Sequence, residues 1–248
     1  MDLLVNENII FFLALLPVVA FLYAAVGHGG ASGYLALMAL FGFAPETMKP
    51  TALLLNLFVA GVAFLHYAKS GYFNKKLFIA FAVASIPLSF LGGMLEVNAQ
   101  LYKKILAILL IFAILRLLNV FGKEAQETKP VKIWEGVLVG GIIGFFSGLI
   151  GIGGGIILSP VILLMKWGKM KEAAAVSALF IWVNSAAGLA GQYSSGVKID
   201  YQAFVLVAIA LVGGFLGGYL GSKKFNNNLL KYLLAVVLII AAVKLFFT

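Results

Sequence analysis

Two glycine clusters pose the chemical question in this chain: "GHGGASG" at residues 27–33 and "GIGGG" at residues 151–155, each interrupting an otherwise apolar stretch. Gly27, Gly29, Gly30 and Gly33 in the first, and Gly151, Gly153, Gly154 and Gly155 in the second, let a backbone turn sharply and come close to whatever lies beside it. A helix that starts after such a turn presents N–H groups that no intrahelical carbonyl satisfies, and its partial positive charge suits an anion. His28 is the one ionisable side chain in either cluster. Imidazole changes charge near neutral pH, so His28 is the candidate carrier of a coupled proton. Ser32 can cap the helix that follows or offer its hydroxyl to an anion. Asn56, Ser177 and Asn184 lie inside apolar runs and are further candidates for contacting or gating a substrate, although such side chains also stitch helices together.

Other chemistries lack their residues. No pair of carboxylates or metal-ligand cluster supports hydrolysis, and the absence of Cys excludes disulfides and thiolate metal sites. The Gly-x-Gly-Gly-Gly run has no strand before it and no Lys-Ser/Thr after it, so it is not a nucleotide fingerprint. The sequence predicts a non-enzyme with no cofactor and no metal, with protons as the candidate coupling ion.

The elements that must position these residues are set by composition. Of 248 residues, 63% are hydrophobic and only 11% charged, about half the charged share of an ordinary soluble domain. Apolar runs, most of them near the roughly 20 residues needed to cross a bilayer, recur at 9–26, 33–44, 50–68, 76–95, 102–121, 134–150, 155–166, 172–193, 201–220 and 229–247. The fold class is therefore an all-α polytopic membrane protein in the cell membrane, the inner membrane if the source is bacterial. Asp2 and Glu7, with no Lys or Arg, precede the first run, so it is expected to stay rather than be cleaved as a signal peptide. The net charge of +9 lies mostly on loop lysines, which act as topology determinants and do not point to nucleic acid. Membrane lipid and a small anion are the expected partners, and nothing in the sequence sets an oligomeric state.

The chain repeats itself. Gly27, Gly29 and Gly30 fall 124 residues before Gly151, Gly153 and Gly154, and "FLGGM" at Phe90 is echoed by "FLGGY" at Phe215. This divides the chain into a first membrane repeat at 1–121, a connector at 122–132 and a second repeat at 133–248. If the first two runs of each half form a re-entrant hairpin or cross separately, twelve lysines fall on the connector's side and five (Lys49, Lys103, Lys104, Lys198 and Lys244) on the other. If those two runs make one crossing, the division is nine to eight, which ignores the positive-inside tendency. The first scheme gives each half an odd number of net crossings, hence an inverted repeat with both termini periplasmic or extracellular. The run at 33–44 has 12 residues, a length that hardly spans as a helix but fits half of a hairpin whose tip lies inside the membrane. Two such hairpins would bring both glycine clusters toward the midplane.

At these clusters the chain resembles the sulfite exporter TauE/SafE family, also called the 4-toluene sulfonate uptake permease family, whose halves carry a G-x-G-G-G-x-x-x-x-P type segment. Residues 151–160, "GIGGGIILSP", match it well, and residues 27–36, "GHGGASGYLA", more loosely, with Ala31 for the third glycine and Ala36 where the second copy has Pro160. The similarity spans both halves. It implies a secondary permease for a small anion, sulfur-containing as in sulfite, sulfonate or sulfoacetate. An anion channel and a non-transporting membrane assembly protein are the alternatives.

Overall fold

The computed structural model describes residues 9–25, 29–118, 127–223 and 228–247, and no strand occurs among them. Ten helices follow in order: α1 (Ile9–Ala25), α2 (Ala31–Leu40), α3 (Pro45–Lys69), α4 (Lys75–Met94), α5 (Ala99–Leu117), α6 (Ile133–Ile150), α7 (Gly155–Leu164), α8 (Met170–Ser194), α9 (Gln202–Lys223) and α10 (Asn228–Phe247). Each expected run is a helix, with boundary corrections around α2 and α3. The short run at 33–44 is helical at Ala31–Leu40, and α3 begins at Pro45, five residues before the expected start. Pro45 fits the first helical position, where a missing N–H costs nothing. Pro50 lies inside the helix and leaves the Glu46 carbonyl without its usual donor.

By length and composition α3, α4, α6, α8 and most of α9 can cross a membrane, while α1, α2 and α7 are shorter apolar helices. Large apolar side chains such as Ile10, Val83, Leu138, Val212 and Val243 stand exposed on the outside of the bundle, as lipid contact requires.

Packing pairs helices from the two parts of the chain. α1 lies on α9 as α6 lies on α4, while α3 pairs with α8 and α5 with α10, the same positions in the two halves. Glycine sets the closeness of these pairs. A Cβ on Gly140, Gly144 or Gly148 would overlap the carbonyls of Phe81, Ser85 and Ser89, and one on Gly213 or Gly217 those of Pro17 and Phe21. The rising order of both sets of contacts makes α6 parallel to α4 and α9 parallel to α1. A Cβ on Gly61 would lie 3.1 Å from Trp182, and one on Gly188 3.2 Å from Leu53, so α3 and α8 run antiparallel.

The turns sort onto two ends. At one, Ser195 Oγ donates to the Met94 carbonyl (3.1 Å), Lys49 Nζ to that of Gly93 (3.0 Å) and Lys244 Nζ to that of Leu40 (2.7 Å). Phe12, in the first turn of α1, packs edge-on against Phe41 there, so this is the terminal end. At the other, the connector end, the Lys129 amide donates to the Lys166 carbonyl (2.8 Å) and Lys171 Nζ to the Tyr72 hydroxyl (2.9 Å).

Candidate functional site

The first turns of α2 and α7 lie inside the bundle, with Gly29–Gly33 and Gly151–Ile156 all buried. Each helix is preceded by a left-handed glycine, Gly30 with φ +93° and Gly154 with φ +75°, and no side chain caps either start. Helices that begin at the bundle's ends are treated differently. Asn74 Oδ1 accepts from the Leu77 amide (3.1 Å), Asn98 Oδ1 from Leu101 (2.8 Å), Glu172 Oε2 from Lys169 (2.9 Å) and Asp200 Oδ1 from Gln202 (2.9 Å). α3 and α6 also start without a side-chain cap, but at exposed residues, Ala44 and Lys132, where water serves. Among the helix starts whose caps are described, these two combine seclusion with uncapped N–H groups.

The two turns meet. A Cβ on Gly29 would lie 3.0 Å from Ile181 Cγ2, 3.0 Å from Ala60 Cβ and 3.2 Å from Asn56 Oδ1. One on Gly153, whose φ is +75°, would lie 2.5 Å from Asn56 Nδ2 and 2.9 Å from Ile181 Cγ2. Both clusters therefore rest on the same two side chains, one from α3 and one from α8. Asn56 and Ile181 are each the twelfth residue of a 25-residue helix, so the junction sits halfway through the bundle. Asn56 is wholly buried, and neither end of its amide has a hydrogen-bond partner among the described residues. A buried amide left in that state costs about 1–3 kcal/mol per group, which a bound polar ligand would offset.

The other sequence candidates divide. A Cβ on Gly155 would press on Ile181 and lie 3.1 Å from the Ser177 carbonyl, so Gly155 belongs to the junction. Ser177 Oγ accepts from Ser159 Oγ at 2.8 Å and ties α8 to α7. Asn184 Nδ2 donates back to the Phe180 carbonyl (2.8 Å), and its own backbone carbonyl accepts from Ser89, a contact between α8 and α4. Ser32 shares a 2.7 Å hydrogen bond with the Tyr23 hydroxyl, joining α2 to α1. Gly33 makes room for Tyr23 and Val19, and Gly151 for the backbone of Lys49. Gly27 and His28 lie outside the described residues.

Three neighbours escaped sequence reasoning. Ile181 was reachable, because it occupies the Asn56 position of the second repeat. Tyr34 and Ser147 carried no signal. The Tyr34 hydroxyl is buried without a partner among the described residues, 2.6 Å from where a Gly30 Cβ would stand, and Ser147 Cβ would lie 3.5 Å from one on Gly154. Among the described residues no group of His, Cys, Asp or Glu could hold a metal. Among the described residues the junction offers N–H and O–H donors in an apolar surround, an arrangement compatible with an oxyanion.

The model of the sulfite exporter TauE/SafE family matches residues 10–245. The chain is 36% identical over 235 residues to a "Probable membrane transporter protein" of Sinorhizobium fredii, covering 92% of this chain and 94% of that one. It is 29% identical over 220 residues to one of Methanocaldococcus jannaschii, covering 81% and 82% of the two chains. A third, from Bacillus subtilis, is 26% identical over 223 residues, covering 82% and 81%. No solved structure matches the chain.

Proposed function

The chain belongs to the sulfite exporter TauE/SafE family and is a multi-pass membrane transporter, and from that premise we propose that it is a secondary permease for a small sulfur oxyanion held where the two glycine turns meet. The observation that carries this reading is Asn56, buried between Gly29 and Gly153 with both ends of its amide free among the described residues. A sulfite or sulfonate head presents several oxygens on one compact centre and can accept from the first turns of α2 and α7 and from Asn56 together. His28, two residues before Gly30 in the sequence, accompanies the anion with a proton.

The halves, residues 1–121 and 133–248 joined by the connector at 122–132, act as inverted copies. The opposed directions of α3 and α8 support this, as does the matched packing of α1 on α9 and α6 on α4. Rocking one half against the other then opens the junction to either side in turn. The lysine bias supports a cytoplasmic connector end and a terminal end facing outward.

The test has two stages. Purified protein is melted with sulfite, methanesulfonate, sulfoacetate, acetate or chloride, and a specific ligand at a hundred times its Kd adds about 2.7 kcal/mol of stability. Flux of the best ligand is then measured in proteoliposomes across an imposed pH gradient, for wild type and His28→Gln. Selective stabilisation by sulfur oxyanions and saturable flux are expected, with His28→Gln keeping binding and losing the pH dependence. Flux that never saturates would identify a channel. Wild-type flux indifferent to pH would remove the coupling role, and absence of both stabilisation and flux would overturn the proposal.

A further inference from the structure

A cavity of about 170 Å³ opens at the terminal end among the start of α3, the end of α4 and the end of α8. Lys49, Gln192, Glu46, Glu96, Tyr102 and Ser195 supply its polar lining. Lys49 Nζ donates to the carbonyls of Gly93 (3.0 Å) and Leu95 (3.1 Å), the carbonyl end of α4. That tethered ammonium already takes the place a free cation would favour at a helix C-terminus. An ammonium has three N–H bonds, so one direction remains. Gln192 is 2% exposed, and neither end of its amide has a partner among the described residues. The cavity thus holds a positive donor and a buried amide whose hydrogen-bonding capacity is unmet. Glu46 and Glu96 set two carboxylates against that one ammonium, so an anion would be held by the Lys49 donor and the Gln192 amide and not by net charge, which keeps its stay short, as passage requires.

The cavity's inner wall backs onto the junction. A Cβ on Gly151 would lie 2.9 Å from the Lys49 carbonyl oxygen and 3.4 Å from Lys49 Cγ. The Tyr102 hydroxyl donates to the carbonyl of Ile150, the residue before that glycine, at 2.9 Å. Repeat positions make the opposite end informative. α3 and α8 match at a spacing of 125 residues, so Gln192 corresponds to Tyr67 and Lys49 to Ala174. At the connector end Tyr67, Ala174 and Ala175 are buried together, with Tyr72 and Phe73 packed against them. Polar space at one end is matched by apolar filling at the other.

We propose that the terminal cavity is a second oxyanion-binding station, a vestibule in which Lys49 and Gln192 receive the anion before it reaches the Gly29–Gly153 junction, while the Tyr67–Ala174–Ala175 cluster closes the connector side. It rests on the permease reading above.

The full chain, which has no cysteine of its own, is tested with single reporters, Ser195→Cys in the cavity and Ala174→Cys in the cluster. Each is reacted with methanethiosulfonates carrying either a sulfonate or a trimethylammonium group. Methanesulfonate serves as the protecting anion, since sulfite would attack the reagents. Ser195→Cys should react from the terminal side, with methanesulfonate slowing it, and Ala174→Cys should react at least about tenfold more slowly. Adding Lys49→Met should lower the sulfonate-to-ammonium rate ratio about tenfold, and Lys49→Arg should keep it. Adding Gln192→Leu should abolish protection. The rate ratio separates lost charge from misfolding, which changes both reagents alike. Asn56→Leu keeps the two readings apart. Loss of transport with protection at Ser195→Cys intact supports both, and wild-type transport with intact protection leaves the vestibule standing while the junction falls. A Ser195→Cys indifferent to methanesulfonate and to reagent charge overturns the vestibule.

Discussion

The two glycine turns enter their helices alike and differ in the glycine before the entry and in the side chains beside it. Each feeds a buried ten-residue helix through a left-handed glycine, Gly30 or Gly154. They differ one residue earlier, where Gly153 is at positive φ and Gly29 is not. At equivalent places on the long helices, the first half supplies Asn56 and the second Ile181. Tyr34 likewise corresponds to Leu158, at the 124-residue spacing of α2 and α7. The duplicated part is the set of backbone donors, and the unique part is the side-chain polarity beside them. In the permease proposed above, capture of an anion would then be symmetric while choice among anions would rest on one half.

The largest expected difference between the turns is conformational. An Ala at 153 must hold a left-handed φ, costing about 1–2 kcal/mol, and must also displace the Asn56 amide 2.5 Å away. An Ala at 29 meets Ala60 and Ile181 at 3.0 Å without that backbone penalty. Gly153→Ala should lower flux at least about tenfold and the melting temperature by several degrees, by the usual scaling of stability to Tm. Gly29→Ala should lower flux less and leave melting nearly unchanged. Proteoliposome flux beside thermal melts decides it, and equal losses at the two positions would break the comparison.

Next in size is the side-chain asymmetry. Asn56→Leu removes a buried amide that lacks partners among the described residues, so it should raise stability by about 1 kcal/mol while weakening anion binding about tenfold. Gain of stability with loss of binding marks a ligand contact, whereas a structural amide would give the reverse. Adding Ile181→Asn to Asn56→Ile returns one amide to the same point from the opposite half. Partial recovery of binding in calorimetric titration is expected. No recovery would mean that the halves are not interchangeable at the junction.

The order of helices was legible because apolar runs and polar breaks follow from lipid as solvent, and the glycine breaks announced the two turns. Which side chains would meet them was not. Asn56 faces both turns because α3 and α8 cross halfway, a consequence of packing that one helix's periodicity does not encode. The Ser32–Tyr23 pair and the Lys49–Gln192 cavity arise in the same way. By contrast Gly136, Gly140, Gly144 and Gly148 recur every fourth residue and mark the face of α6 against α4, a signal present in the sequence that the glycine clusters overshadowed. The early start of α3 was missed because two prolines compete, and Pro45 is the one placed where a helix tolerates it best.

The smallest perturbation tests the orientation of the halves without altering either turn. Single cysteines at Asn8, Asn98, Gln126 and Thr248 face no background label, since the chain lacks Cys. The lysine division of twelve to five, and α3 running against α8, lead to one expected pattern. Positions 8, 98 and 248 should react with a membrane-impermeant maleimide on intact cells, and position 126 only after permeabilisation. Labelling of 126 from outside with 8 and 248 protected would reverse the orientation while preserving the inverted pair. Labelling of 8 and 248 from opposite sides would be more damaging. The halves would then no longer be copies of opposite sense, and the two turns could not approach one site from opposite faces.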